Sequence, residues 1–223
     1  MIRAVIFDFN GILADDDPIH MHAFRRVVEE EGLTFTDSEY MERYLPLNDR
    51  DCFQEVWQKH GLELREAELV KLIQRKSAYY FGAIEGKDVL FEGAADAIRA
   101  AASRGPVGIA SGARRGEIRH ILGAAGLLEC FSTIVAAEDV QRGKPDPQPF
   151  QFAFNRLKEN CTDLEPQDCA AVEDSLGGIQ SALSAGIPCL GVAHSYPRER
   201  LEKARPQWVI DSIADFADWL KKV

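Results

Sequence analysis

The sequence predicts an α/β fold: a doubly wound parallel sheet covered by helices, with a small α-helical domain inserted into it. Three observations carry that prediction. Short apolar runs of strand length alternate with helical segments through the C-terminal two thirds of the chain, the rhythm of a parallel sheet with helical crossovers. Four of those runs lead into polar clusters. Ala4-Val5-Ile6-Phe7 ends in Asp8-Phe9-Asn10-Gly11, and Val107-Gly108-Ile109-Ala110 ends in Ser111-Gly112. The run from Thr133 to Ala137 is followed, after a short loop, by Gly143-Lys144-Pro145-Asp146-Pro147, and Cys169-Ala170-Ala171-Val172 ends in Glu173-Asp174-Ser175. The third observation is that residues 16–88 break the alternation and read as helices only.

Taken in order, the first strand at 3–8 reads as buried because its apolar residues run continuously. Further strands are expected near 106–110, 133–136, 168–173 and 188–192, with an edge strand at 208–210. Helices fill the gaps at about 94–103, 115–125, 148–158, 176–184 and 213–221. Within the insert, apolar positions recur at helical spacing in 21–28, 52–57 and 67–81. The chain therefore divides into a sheet domain, 1–15 and 89–223, and a helical domain, 16–88. The stretches 11–17 and 84–93 would be the hinges.

Composition narrows the functional classes. A chain of 223 residues, 46% of them hydrophobic, holds one full α/β domain and a small insert. No stretch reaches the ~18 apolar residues of a membrane span, and Met1 leads directly into the first strand, leaving no room for a signal peptide. Cysteines 52, 130, 161, 169 and 189 show no CxxC spacing and read as reduced packing residues, which points to the cytoplasm. A net charge of −10 argues against nucleic acid as a partner. It leaves room for a small anionic substrate, because a local cation can reverse the field inside a site.

In a parallel sheet the four strand ends share one edge, which brings together a carboxylate, a hydroxyl, an ammonium and two more acids. Each has a simpler reading. Asp8 could cap the following helix, and Lys144 could be a solvated lysine. Glu173-Asp174-Ser175 could be only a helix start with acids matching the dipole. Gly177-Gly178 reads as a site of close helix-to-sheet approach.

The ordered set of motifs resembles the haloacid dehalogenase-type superfamily of phosphatases and phosphomutases, particularly its β-phosphoglucomutase-like branch, over nearly the whole chain. The resemblance implies a Rossmann-like core with a helical cap and an Asp8 nucleophile that forms an aspartyl-phosphate. It implies a Mg²⁺ ion held by Asp8, Glu173, Asp174 and the main-chain carbonyl of Asn10. Hard oxygen ligands of this kind suit that ion. Lys144 would pair with both Asp8 and the phosphate. Ser111 and the Gly112 amide would hold phosphoryl oxygens as an anion nest.

One position departs from the pattern. Most phosphatases and mutases of the superfamily carry a second aspartate two residues after the nucleophile, acting as general acid and base. Here it is Asn10, and a carboxamide donates hydrogen bonds but hands over no proton near neutral pH. Asp15, Asp16, Asp17 and His20 follow closely as candidate replacements, and His20 matches a histidine frequent in this branch. The change is either natural or engineered to trap a bound state.

The cap would carry selectivity. In the loop Leu45-Pro46-Leu47-Asn48-Asp49-Arg50, Arg50 resembles an arginine that grips a distal phosphate, although Asp49 and Asp51 make a surface ion pair an equal alternative. Lys76 falls where the branch often has a substrate-side lysine, while Arg75 and Lys71 favour a solvated helix face. Arg114 could reach phosphate or simply open the next helix. Tyr79, Tyr80 and Phe81 read as core, and His22 as surface. His60, His120 and His194 have no companions at metal-ligand spacing and take no role.

The leading functional expectation is a Mg²⁺-dependent phosphomonoester hydrolase of a small phosphorylated metabolite, slowed by Asn10, working as a monomer or weak dimer without nucleic acid or membrane. A sugar-phosphate mutase and a non-catalytic phosphate-binding protein are the alternatives.

Overall fold

The computed structural model describes residues 1–45 and 47–223; of the loop singled out at 45–50, Pro46 lies outside the described residues. The chain forms two compact units, one of residues 1–15 and 89–223 and one of residues 16–88.

The first unit is built on a six-stranded sheet in the order β3-β2-β1-β4-β5-β6, and every pairing is parallel. The strands are β1 (Ala4–Phe7), β2 (Val107–Ala110), β3 (Thr133–Val135), β4 (Cys169–Glu173), β5 (Cys189–Val192) and β6 (Trp208–Ile210). The four residues of β1 and the five of β4 are all buried, which is why they read as continuous apolar runs. Helices connect them: α5 (Ala94–Arg104), α6 (Arg115–Ala124), α7 (Gln148–Asn160) and α8 (Leu176–Ser184). One core cluster lies where Ile6, Ala110 and Ala171 meet Phe150, Ala153 and Leu157 of α7 and Ile179 of α8.

The strand order explains the position of the site. β1 lies between β2 and β4, so the chain runs outward to β3 on one side and returns past β1 to begin the other half. The crevice at such a reversal, outside the carboxyl ends of the strands, is where open α/β sheets take ligands. Phe7 pairs with Ile109 on one side and Val172 on the other, which sets Asp8 level with the ends of both neighbours.

The second unit is helical: α1 (Asp17–Glu30), the short α2 (Asp37–Glu39) running into a π-turn at Tyr40–Tyr44, α3 (Asp49–Lys59) and α4 (Glu66–Ile84). Pro18 sits in the first turn of α1, where its missing N–H costs nothing. The Asn48 side chain caps α3 by accepting from the Asp51 amide at 3.0 Å. Phe24, Val27 and Val28 of α1, Phe53, Val56 and Trp57 of α3, and Leu69 and Leu72 of α4 form its core.

The structure adds elements the sequence pattern lacks: α2 with its π-turn, and α9 (Arg198–Glu202). The helix expected at 213–221 is a 3₁₀ turn, Ile213–Asp215, leading into α10 (Phe216–Leu220). Segments of three to five residues are too short to display a helical period, so tertiary packing decides them. No helix among the described residues is long and apolar enough to cross a membrane.

Candidate active site

Asp8 follows β1 directly and its amide donates to the Val172 carbonyl at 2.9 Å, stitching the β1 end to β4 just before Glu173. The next helix begins only at Asp17, so Asp8 caps nothing. Its carboxylate faces Lys144 instead. The Lys144 ammonium lies 2.7 Å from Asp8 Oδ1 and 2.5 Å from Glu173 Oε1. The lysine side chain is only 9% exposed, so the solvated reading is overturned. It also lies 5.1 Å from the centre of the Phe150 ring, a further favourable contact for a cation.

Burial and charge act against each other here. Burial pushes the Asp8 carboxyl up to about 7, with Lys144 pulling it down and the neighbouring Glu173 pushing it up. For Lys144, burial alone would lower the ammonium, but Asp8 and Glu173 outweigh it and hold it above its ordinary value.

Glu173 is fully buried. While Oε1 accepts from Lys144, Oε2 accepts from the amides of Asp174 (3.0 Å) and Ser175 (2.9 Å) and from Ser175 Oγ (3.0 Å). Ser175 Oγ in turn accepts from the Gly178 amide and caps α8. The acidic cluster is therefore both a helix start and part of the site. Gly178 also belongs to it. A Cβ there would fall 1.7 Å from Glu173 Oε1, so the carboxylate occupies the space a side chain would need. The close approach of helix to sheet read at Gly177-Gly178 is thus found at Gly178, against the last residue of β4, whereas a Cβ on Gly177 would meet nothing within 4 Å.

A second glycine has the same office on the β1 side. Gly11 has φ +74°, in the left-handed region that suits glycine, and a Cβ on it would lie 2.2 Å from Asp174 Oδ2. Asp174 thus packs directly on the turn that follows Asp8. Its Oδ2 accepts a hydrogen bond from Ser195 Oγ. Among the described residues, Asp8, Glu173 and Asp174 can offer ligand oxygens all within 4.8 Å of one another.

The loop carrying Lys144 is pinned from α8: the buried Ser181 hydroxyl donates to the Asp146 carbonyl at 2.6 Å. Ser111, at the end of β2, is buried and its Oγ accepts from the Ala113 amide at 3.1 Å, which leaves its hydroxyl hydrogen free in direction. Gly112 is exposed. Arg114 opens α6 and pairs with Glu138 at 3.3 Å.

In the helical unit, Lys76 corrects a further expectation. It is 1% exposed and lies on the same face of α4 as Leu69, Leu72, Tyr80 and Ile84. Its ammonium contacts Asp49 Oδ1 at 2.9 Å and His20 Nδ1 at 2.5 Å. His20 stacks on Tyr80, and both His20 and the Tyr80 hydroxyl reach the fully buried Asp16. Distant partners make this lysine buried, which its basic neighbours do not reveal. Arg50 makes a two-pronged pair with Glu66, both contacts 2.7 Å, rather than with Asp49 or Asp51. Tyr80 is core as expected, whereas Tyr79 is half-buried, packed against the core of this unit with its hydroxyl donating to Glu30 beneath Arg26.

Sequence reasoning missed the part played by His194. It accepts at Nε2 from the Ile213 amide (3.2 Å), contacts the Gly11 carbonyl through Nδ1 (2.8 Å) and stacks on Phe91. No spacing rule signals this, because the partners are 183 residues apart.

A model of the haloacid dehalogenase-like hydrolase family matches residues 2–186. The chain is 28% identical to a β-phosphoglucomutase of Bacillus subtilis, covering 88% of this chain and 85% of that one. It is 27% identical to a phosphoglycolate phosphatase of Escherichia coli, with 96% and 90% covered. In structure it is similar to a β-phosphoglucomutase from Clostridium difficile, with a TM-score of 0.86 at 21% identity over 100% of this chain and 96% of that one.

Proposed function

Because the chain belongs to the haloacid dehalogenase-like hydrolase family, we propose that it hydrolyses the phosphomonoester of a small phosphorylated metabolite, with Asp8 as the nucleophile. The observation that carries this reading is Lys144 held at once against Asp8 and Glu173. A carboxylate attacks a phosphoryl group only where cations offset the charge of both.

The donor set fits Mg²⁺. Three carboxylates with hard oxygens lie within 4.8 Å of one another, and one ammonium contacts two of them, leaving an excess of negative charge that a divalent cation would balance. The rise in the Asp8 carboxyl, driven by burial and the nearby Glu173, points the same way. Asp8, Asp174, Glu173 and the main-chain carbonyl of Asn10 would hold the ion. When bound it supplies charge neutralisation at the phosphoryl oxygens.

The protein's own groups account for the remaining steps. An Asp8 oxygen attacks phosphorus, the bond to the leaving oxygen breaks, and the phosphoryl group passes to Asp8. Lys144 balances the charge that this carboxylate shares with the transferred group. The Ser111 hydroxyl and Gly112 amide orient its oxygens. Water then attacks phosphorus, the bond from phosphorus to the Asp8 oxygen breaks, and phosphate leaves with the water's proton passing to solvent and the Asp8 carboxylate restored. Asn10 orients the leaving oxygen by hydrogen bonding and moves no proton, a loss worth ~10² to 10⁴ in rate for poor leaving groups. The free cysteines, several of them buried, support a reducing cytoplasmic setting, and the working unit is a monomer or weak dimer.

The test is steady-state phosphate release from an aryl and an alkyl phosphate with Mg²⁺, in the chain itself and in Asn10→Asp. The reading predicts aryl turnover that Asp8→Ala abolishes, with alkyl turnover appearing in Asn10→Asp. Absence of turnover in both forms, alongside Mg²⁺ and phosphate binding, would replace it with a phosphate-binding protein. A mutase needs a second phosphate grip, and the two cap cations considered for it are already engaged, Arg50 by Glu66 and Lys76 by Asp49 and His20. Hydrolysis is therefore preferred.

A further inference from the structure

The loop after β5 makes two contacts that the reaction above does not use, and both fall on the same small piece of structure. His194 bonds to the Gly11 carbonyl, and the next residue, Ser195, donates to Asp174 Oδ2. Gly11 and Asp174 are themselves packed so closely that no Cβ fits between them. One dipeptide thus grips both sides of the contact between the turn after Asp8 and the acid at the end of β4.

The hydrogen bonds determine which way His194 is protonated. The Ile213 amide can only donate, so Nε2 accepts and carries no hydrogen. The Gly11 carbonyl can only accept, so Nδ1 carries the hydrogen and donates. The ring is neutral, and burial, opposed by the Gly11 bond, holds its pKa below the ordinary value. Phe91 stacks on its face at 4.2 Å and fixes its plane. A side chain held on three sides is poor at moving protons and well suited to locating a carbonyl.

We propose that His194 and Ser195 are positioning residues for the metal site, a role that rests on the hydrolase reading. His194 holds the Asn10–Gly11 turn, and with it the Asn10 carbonyl. Ser195 orients the carboxylate of Asp174, one of the three acids whose oxygens lie within 4.8 Å of one another. Outer partners of this kind typically change metal affinity ~10- to 100-fold when removed.

The experiment is calorimetric titration of the intact protein with Mg²⁺, paired with thermal melting of each variant. Ser195→Ala and His194→Ala should each raise the Mg²⁺ dissociation constant about tenfold or more. Ser195→Thr keeps the hydroxyl and should restore it. His194→Asn places an amide N–H where Nδ1–H lies and should restore it in part. A purely structural role would lower the melting temperature and leave the dissociation constant unchanged below the transition. Parental affinity in folded Ser195→Ala therefore overturns the proposal, even where His194→Ala fails to fold. Failure of the parent protein itself to bind Mg²⁺ overturns the hydrolase reading, and this proposal with it.

Discussion

Replacing Gly178 by alanine should destabilise the protein, although alanine is the better helix former. The position lies in the first turn of α8, where the exchange alone would gain about 1 kcal/mol of helix propensity. The added Cβ, however, would sit 1.7 Å from Glu173 Oε1 and 1.9 Å from its Cδ. The carboxylate has to move, and it is fully buried with four donors fixed on it: Lys144, the amides of Asp174 and Ser175, and Ser175 Oγ. Hydrogen bonds to a charged group contribute about 1.5–3 kcal/mol each. Losing two of them costs roughly 3–6 kcal/mol, and the helix gain reduces the net effect to roughly 2–5 kcal/mol. Urea unfolding followed by circular dichroism measures this directly, with a midpoint shift at unchanged slope. A variant as stable as the parent, or more stable, would refute the claim that Glu173 fills the space of the missing side chain. Because Lys144 leans on the same carboxylate, aryl phosphate turnover should fall together with stability.

Other consequences follow from the same contacts. With metal chelated, the raised Asp8 carboxyl means that the folded protein binds more protons than the unfolded chain between about pH 4 and 7. Stability contributed by this residue is then present at low pH and lost as pH rises through about 7, so the melting temperature of the parent relative to Asp8→Asn should fall between pH 5 and 8. A relative rise would contradict the assignment. His194, which titrates in the opposite sense, is common to both proteins and cancels. Ser181→Ala removes the hydroxyl donor to the Asp146 carbonyl, and an unsatisfied buried acceptor costs about 1–3 kcal/mol. Turnover should drop with the loosened Lys144 loop, and Ser181→Thr is the control in both assays. Lys76→Ala leaves Asp49 short of a buried cation and should destabilise the helical unit by about 3–5 kcal/mol. Lys76→Met together with Asp49→Leu should recover much of that in the same melting experiment.

The sheet and the candidate site were legible in the sequence for one physical reason. Strands buried on both faces are continuous apolar runs, so the polar residues that end them stand out. Asp8, Ser111 and Glu173-Asp174 were visible in that way, Lys144 through the Gly143–Pro147 motif in the loop after β3, and the structure brings Asp8, Lys144, Glu173 and Asp174 together around the end of β1. What escaped notice depends on distance through space. Lys76 sits among basic neighbours in sequence, yet its partners Asp49 and His20 come from other helices. His194 meets a Gly11 that lies 183 residues earlier in the chain. Gly178 looked like a packing glycine because nothing in the sequence says where the Glu173 carboxylate turns. The short helices α2 and α9 have too few residues to show a period.

The central claim is that Asp8 receives the phosphoryl group. Intact-mass analysis of acid-quenched protein, after incubation with an aryl phosphate and Mg²⁺, tests it most directly. The account predicts a phosphoryl adduct that maps to Asp8 and is absent from Asp8→Asn. Phosphate release that persists in Asp8→Asn without any adduct would contradict it.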